Sequence, residues 1–340
     1  MIKDLRNYNL LPHNTFGIEA RCHRFIEFET ADEARQVAAS LSAADSPLLV
    51  IGGGSNLLLT ADFPGTVIHS AIKGIDVIKN EQTDEVILRC GSGEIWDDVV
   101  SFAVDNGFHG AENLSLIPGE VGATAVQNIG AYGAEVADII SEVVAIEMES
   151  GKLCRFAPEE CDYSYRQSRF KNEWKGRFII VEVAYRLSLH GQPNMEYGNI
   201  KAELARQGIS SPTLQQLRQA IIEIRNAKLP DPKVEGNAGS FFMNPIVKRS
   251  IYDELATRYP DMPHYEVDAD HVKIPAGWMI DQCGWKGKTM GRAGVHGRQA
   301  LVLVNKGGAT GDDIIALCNQ IRHDVRQRFG IEIHPEVNIV

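Results

Sequence analysis

Apolar and polar positions along this chain follow two rhythms. Between 22 and 70 an extended segment, Arg24-Phe25-Ile26-Glu27-Phe28, precedes a helical pattern over 31–42 and a short apolar strand, Leu48-Leu49-Val50-Ile51, which together make a β-α-β order. That strand runs into Gly52-Gly53-Gly54-Ser55-Asn56 and then into Leu57-Leu58-Leu59, a second extended stretch. A Rossmann dinucleotide turn must open a helix, so this turn is not one. Nor is it a P-loop, because no Gly-Lys-Ser/Thr follows, and Gly287-Lys288-Thr289 has Gln282 where the first glycine of that motif belongs.

Further strands are predicted at Thr66-Val67-Ile68 and Val86-Ile87-Leu88-Arg89-Cys90, then a Gly91-Ser92-Gly93 turn and an amphipathic helix over 96–106 closed by Gly107. The segment Ser115-Leu116-Ile117-Pro118-Gly119-Glu120-Val121-Gly122-Ala123-Thr124 leads to Gln127-Asn128-Ile129-Gly130-Ala131-Tyr132-Gly133 and reads as a second loop rich in backbone N–H groups. Two such loops are either ordinary turns or a nest of amides that binds a diphosphate without positive side chains. Strands follow at Val143-Val144-Ala145-Ile146 and Phe178-Ile179-Ile180-Val181-Glu182-Val183-Ala184, with Tyr163-Ser164-Tyr165-Arg166 between them. Arg166 there is either a stem-buried surface cation or a positioned anion contact. A polar stretch over 191–213 gives way to a helix over 213–228, stopped by Leu229-Pro230-Asp231-Pro232, and the double proline marks a domain boundary.

Beyond it stand helices over 249–259, 276–282 and 310–329, a glycine-rich run over 284–297 and a strand over 300–305. The stretch Glu235-Gly236-Asn237-Ala238-Gly239-Ser240-Phe241-Phe242-Met243-Asn244-Pro245 sets one hydroxyl between small residues and two aromatic rings. Its glycines are expected where backbone takes unusual angles or lies against a ligand; a tight turn with a hydrogen-bonded Ser is the plainer alternative.

At 340 residues and 44% hydrophobic composition the chain can bury a large core, and its length suits two or three domains. A formal charge of −11 and a pI near 5.4 argue against a nucleic-acid surface, while a few local Lys and Arg still suffice for a phosphorylated ligand. Six scattered cysteines without C-x-x-C spacing fit reduced, mostly buried thiols, and the ten histidines show no metal-ligand clustering. The first residues lack a signal-peptide pattern and no apolar run approaches the roughly 20 residues of a membrane span, so a cytoplasmic protein without membrane insertion is expected, with no metal.

Taken in order, Asn14-Thr15-Phe16-Gly17, Gly52 to Asn56, Ile117-Pro118-Gly119, Gln127 to Gly133, Tyr165-Arg166, Lys228-Leu229-Pro230-Asp231-Pro232, Gly236 to Asn244, Ala276 to Gln282, His296 and Pro335-Glu336-Val337 resemble the UDP-N-acetylenolpyruvoylglucosamine reductase (UDP-N-acetylmuramate dehydrogenase) family over nearly the whole chain. Tyr197 and the insertion around it point to the longer, type I branch. The resemblance implies an α+β FAD-binding fold of the vanillyl-alcohol-oxidase (PCMH) type in two subdomains, 1–69 with 331–340 returning to it and 70–229, plus an α/β substrate-binding domain over 230–330. It implies non-covalent FAD held by Gly52, Gly53, Gly54, Ser55, Asn56, Ser115, Pro118, Gly119, Gly122, Asn128, Gly130, Tyr132, Gly133 and Arg166, with NADPH as reductant.

By the same resemblance the protein is a monomer acting on a UDP-sugar in peptidoglycan precursor synthesis. Ser240 is the expected proton donor, Arg166 the expected clamp on the substrate carboxylate and the enolate that forms, and Glu336 is expected to orient or reprotonate the donor or, protonated, to interact with the enolate. Tyr197, Lys228, Asn244, Tyr265, Lys286 and Gln299 match substrate-contact positions. Asn338 stands where a relative carries Arg, a change of charge near Glu336. Two rivals are a flavoprotein oxidase with covalently linked FAD, disfavoured because no His lies in either glycine-rich loop, and a UDP-sugar binding protein without flavin.

Overall fold

Val86, Leu88 and Cys90 are buried on the strand Glu85–Gly91, whose intervening positions are more open, the period of two that a one-sided sheet requires. Opposite them in antiparallel register stand Leu187, Tyr185 and Val183, so one face of the sheet is closed by apolar pairs. The helix Trp96–Asp105 buries Trp96, Val99, Val100, Ala103 and Val104, a stripe at helical spacing, within the same core. The helix ends one residue earlier than its pattern suggests, with Asn106 as its cap and Gly107 at φ +73° beyond it.

The computed structural model describes residues 1–197 and 199–340, leaving Gly198 outside the described residues. The chain divides into two compact units, one made of Met1–Tyr8, Arg21–Gly53 and Phe63–Asn226, the other of Asn9–Ala20, Gly54–Asp62 and Ala227–Val340.

In the first unit the five-stranded antiparallel sheet runs in the order Leu153–Phe156, Ile140–Glu147, Phe178–Ser188, Glu85–Gly91, Ile75–Asn80. A four-stranded sheet has the order Lys3–Asn9, Arg21–Phe28, Phe63–Ser70, Leu48–Ile51, with Phe63–Ser70 parallel to both its neighbours. The helix Ala31–Ser40 makes the crossover, capped by the Thr30 hydroxyl, which accepts from the Glu33 amide. Ile26, Phe28, Val37 and Ile68 join Val144, Ile146 and Val181 in one core. Two helices, Ile200–Arg206 and Leu214–Lys228, share a smaller cluster against which Tyr132 packs. The first was hidden in the stretch read as polar, because Ile200 and Leu204 are its only buried residues.

In the second unit Asn237–Ser240 is the edge strand of a sheet that continues through Val302–Asn305, Ala293–Val295 and Thr289–Met290. The helix Gly311–Phe329 lays Ile314, Leu317, Cys318, Ile321, Val325 and Phe329 into the same core as Phe241, Phe242 and Leu303. Leu57–Leu58 does form a strand, as the extended reading requires, and it pairs in parallel with Asn338–Ile339. No described helix is long and apolar enough to cross a membrane.

Candidate active site

In the first unit the strand Leu48–Ile51 ends directly at Gly52, level with His69 on the neighbouring strand. Gly52 and Gly53 lie against Glu120: a Cβ added at Gly52 would come 3.3 Å from the Glu120 carboxylate and 3.4 Å from the Ala123 side chain. The backbone approaches this second segment closely because there is no side chain in the way. Gly54, Ser55 and Asn56 belong to the second unit. There Gly54, at φ +64°, lets the chain pass the His13 carbonyl, which a Cβ would meet at 1.9 Å, so this glycine is required by packing. Ser55 and Asn56 are half-buried; the Asn56 carbonyl accepts from the Asn338 amide at 3.1 Å.

The stretch 115–133 departs from the loop its glycines suggest, since Val121–Gln127 is a helix. Val121, Thr124 and Ala125 bury one side of it, and Gly122 is accommodated by close packing on Ser92. The amides in the middle of this stretch are therefore spent in helix. Ser115 is fully buried, its hydroxyl donating to the Glu112 carbonyl. Gly119 accepts from the Trp96 amide, and Pro118 is exposed. Gln127 is buried and neither of its amide atoms has a protein partner, the condition of a group that a polar ligand satisfies.

After the helix the chain turns sharply. Asn128 and Tyr132 both adopt left-handed backbone, at φ +42° and +49°. The fully buried Asn128 donates its amide to Glu135 and to the Ser164 carbonyl, both at 2.8 Å, and accepts from the Ala137 amide. The Asn113 amide holds the Tyr132 carbonyl at 2.9 Å. Arg166, itself at φ +58°, donates to the Gly130 carbonyl at 2.5 Å and the Asn128 carbonyl at 3.2 Å, with Glu135 at 3.8 Å and the Tyr165 ring at 5.0 Å. It is thus no loose surface cation: the glycine-rich loop fixes its guanidinium plane. Tyr197 packs on Gly133, where a Cβ would meet its ring at 3.3 Å. The Tyr132 phenol meets Arg225, whose enclosed guanidinium is pushed below its ordinary value by burial.

In the second unit the backbone brings Ser240 and Glu336 to adjoining segments. The Glu336 amide donates to the Phe241 carbonyl at 2.8 Å, the Met243 amide donates to the His334 carbonyl at 2.9 Å, and Phe242 bridges Pro335. Ser240 stays half-buried between Gly239, at φ +69°, and the buried rings of Phe241 and Phe242. The segment is tied from behind, where the Asn237 amide donates to the Thr15 carbonyl, the Asn237 carbonyl accepts from the Thr15 hydroxyl, and the Asn237 side chain accepts from the Gly239 amide. The Asn56 amide reaches the Glu336 carbonyl at 3.4 Å.

The remaining expected residues are spread over the second unit. The Asn244 side chain accepts from the Ala276 amide, and Gln299 from the Leu301 amide. Lys286 pairs with Asp281 at 3.2 Å, Tyr265 lies on a two-residue strand under Lys273, and Lys228 is the exposed last residue of its helix. Sequence reading passed over His69, Gln127 and Arg225 as site residues. Only Gln127 lay in a singled-out segment, and nothing local to the other two marks them.

All six cysteines are free and four are buried; burial pushes the Cys90 thiol up to about 12 and those of Cys161 and Cys318 to about 11, which keeps them protonated and unreactive at neutral pH. Among the described residues no group of His, Cys, Asp and Glu could hold a metal ion. The close glycine backbone at Gly52 and the unpartnered Gln127 amide fit a bound dinucleotide.

Residues 231–340 match the family described as UDP-N-acetylenolpyruvoylglucosamine reductase, C-terminal domain, and residues 23–157 match an FAD binding domain. A UDP-N-acetylenolpyruvoylglucosamine reductase of Bacteroides fragilis is 53% identical over 98% of this chain and 99% of its own length. One of Flavobacterium johnsoniae is 46% identical over 98% of both chains. The crystal structure of the UDP-N-acetylenolpyruvylglucosamine reductase from Thermus caldophilus aligns with a TM-score of 0.67 at 23% identity, covering 100% of this chain and 98% of that one, a likeness of fold. With such identity from end to end, on an α+β fold with an FAD binding domain, the chain belongs to the UDP-N-acetylenolpyruvoylglucosamine reductase family and is an FAD-dependent oxidoreductase.

Proposed function

We propose that this protein reduces the enolpyruvyl ether of UDP-N-acetylglucosamine to the lactyl ether of UDP-N-acetylmuramate, a step of peptidoglycan precursor synthesis, with NADPH as the electron source. Bound FAD supplies the hydride that adds to the terminal enolpyruvyl carbon. The carbon beside the substrate carboxylate then carries negative charge, and it needs both charge stabilisation and a proton.

Three side chains meet those needs. Arg166 binds the carboxylate and the developing enolate, a planar two-point task for which a guanidinium is shaped, and its anchoring on the carbonyls of Asn128 and Gly130 supports that role. Ser240 gives its hydroxyl proton to the α-carbon; a serine is a weak acid, so position must do what acidity does not. Glu336 orients or reprotonates that hydroxyl. The observation that carries the reading is the backbone pairing of the Phe241 carbonyl with the Glu336 amide, which makes neighbours of two residues separated by most of the C-terminal third of the chain.

Gly52 and Gly53 receive the cofactor's diphosphate, with Gly54, Ser55, Asn56, Ser115, Pro118, Gly119, Gly122, Asn128, Gly130, Tyr132 and Gly133 completing its surroundings. Lys228 and Lys286 meet the substrate's phosphates, Tyr197 and Tyr265 its nucleotide end, and Asn244 and Gln299 its polar groups. The working unit is a monomer in the cytoplasm, with domains over 1–69, 70–229 and 230–330.

An anaerobic titration tests the reaction. The purified yellow protein should lose its flavin absorbance on addition of NADPH and regain it on addition of the enolpyruvyl substrate. A protein bleached by NADPH but indifferent to that substrate would exclude the proposed reaction.

A further inference from the structure

Glu120 sits beside the backbone proposed to face a diphosphate. A Cβ at Gly52 would lie 3.3 Å from its Oε2 and one at Gly53 3.7 Å from its Oε1. A bare carboxylate there opposes an anionic ligand. The carboxylate is not bare, because the His69 Nε2 stands 3.1 Å from its Oε2, while the other ring nitrogen, Nδ1, stands 2.8 Å from Glu27.

Strand register explains the arrangement. His69 pairs with Glu27 on one side and with Ile51, the last strand residue before Gly52, on the other. The ring is buried and stacks on Phe25 at a centroid distance of 6.4 Å. Behind Glu27 stands Lys3, paired with the same carboxylate. The charges of this row, Lys3, Glu27, His69 and Glu120, sum to zero only when the imidazole carries its second proton. Burial works against that proton, yet hydrogen bonds and charge from Glu120, then Glu27, outweigh it and raise the pKa of His69 above its ordinary 6.5.

Accepting Gly52 and Gly53 as the diphosphate site, we infer that His69 is a positioning residue for the cofactor: its imidazolium holds and neutralises Glu120, so that the glycine amides can face the diphosphate of FAD. Glu120 is then tolerated only as half of an ion pair. The cofactor should be held most tightly while His69 is charged and should loosen as the pH rises through its raised pKa.

The test is release of FAD from the purified holoenzyme on dilution, read by the fluorescence of free flavin between pH 6 and pH 9. Wild type should release FAD more readily toward high pH. His69→Gln should bind FAD about 10- to 100-fold more weakly at pH 6 and lose the pH dependence, the scale of one uncompensated carboxylate near a phosphate. Glu120→Gln should bind tightly at every pH, and the double variant His69→Gln/Glu120→Gln should return to within about threefold of Glu120→Gln.

A His69→Gln protein with wild-type affinity and pH profile overturns the inference. So does a double variant as weak as His69→Gln alone, since that marks a packing defect. Gly53→Val separates the two layers of the argument. If it leaves FAD affinity unchanged, the glycines are not the diphosphate site; if it weakens FAD at least tenfold while the His69 and Glu120 variants do nothing, the glycine assignment stands and only the role of His69 fails.

Discussion

Arg166 shows how much a single side chain depends on shape beyond charge. Its guanidinium bonds two carbonyls of the turn at once, a plane that the single ammonium of lysine cannot reproduce. Arg166→Lys should retain reduction by NADPH while slowing reoxidation by the enolpyruvyl substrate at least roughly tenfold, the scale of one lost charge-assisted bond; rapid-mixing absorbance would read both steps, and equal rates in both would remove Arg166 from the chemistry. His69 makes a prediction about stability. Its folded pKa lies above the ordinary 6.5, so the stability it contributes is fully present below about 6.5 and is lost as the pH rises through the folded value. His69→Gln should therefore lower the melting temperature more at pH 6 than at pH 9, and an equal or reversed difference would show that the imidazolium is not the stabilising form.

At the scale of elements, two glycines that look alike in sequence do different things. Gly54 and Gly239 both have left-handed backbone, but a Cβ at Gly54 would sit 1.9 Å from the His13 carbonyl, whereas one at Gly239 would meet nothing within 4 Å. Gly239→Ala should cost about 1–2 kcal/mol, the price of the backbone conformation alone, and Gly54→Ala should cost more than about 3 kcal/mol because chain must also move. Denaturant unfolding would rank them, and similar losses would contradict the packing.

The same contrast explains what the sequence made legible. Long amphipathic patterns such as Trp96–Asp105 and Gly311–Phe329 were readable because many positions repeat the period. Val121–Gln127 was not, since Gly122 signals a loop and seven residues hold only two turns of pattern. The strands Ile246–Lys248, Tyr265–Glu266 and His271–Lys273 escaped for a related reason, being too short to alternate visibly.

For the molecule as a whole, the order of motifs carried the family, while pairings between distant segments were out of reach. Nothing in Leu57-Leu58 announces that Asn338–Ile339 will lie beside it, nor does Glu27 announce His69; register is a property of the folded sheet. Ser240 was legible as a candidate from its glycine-rich setting, but its role and the candidacy of Glu336 came only through resemblance, and the hydrogen bond from the Glu336 amide to the Phe241 carbonyl supplies the physical reason to treat them together. The central claim is that the hydroxyl of Ser240 delivers the proton that completes reduction. It is tested most directly by following the flavin absorbance of Ser240→Ala under anaerobic conditions, first with NADPH and then with the enolpyruvyl substrate. The account predicts bleaching at the wild-type rate and a return of colour slowed by about 10²–10⁴-fold, the range of a lost general acid; a return of colour at the wild-type rate would contradict it.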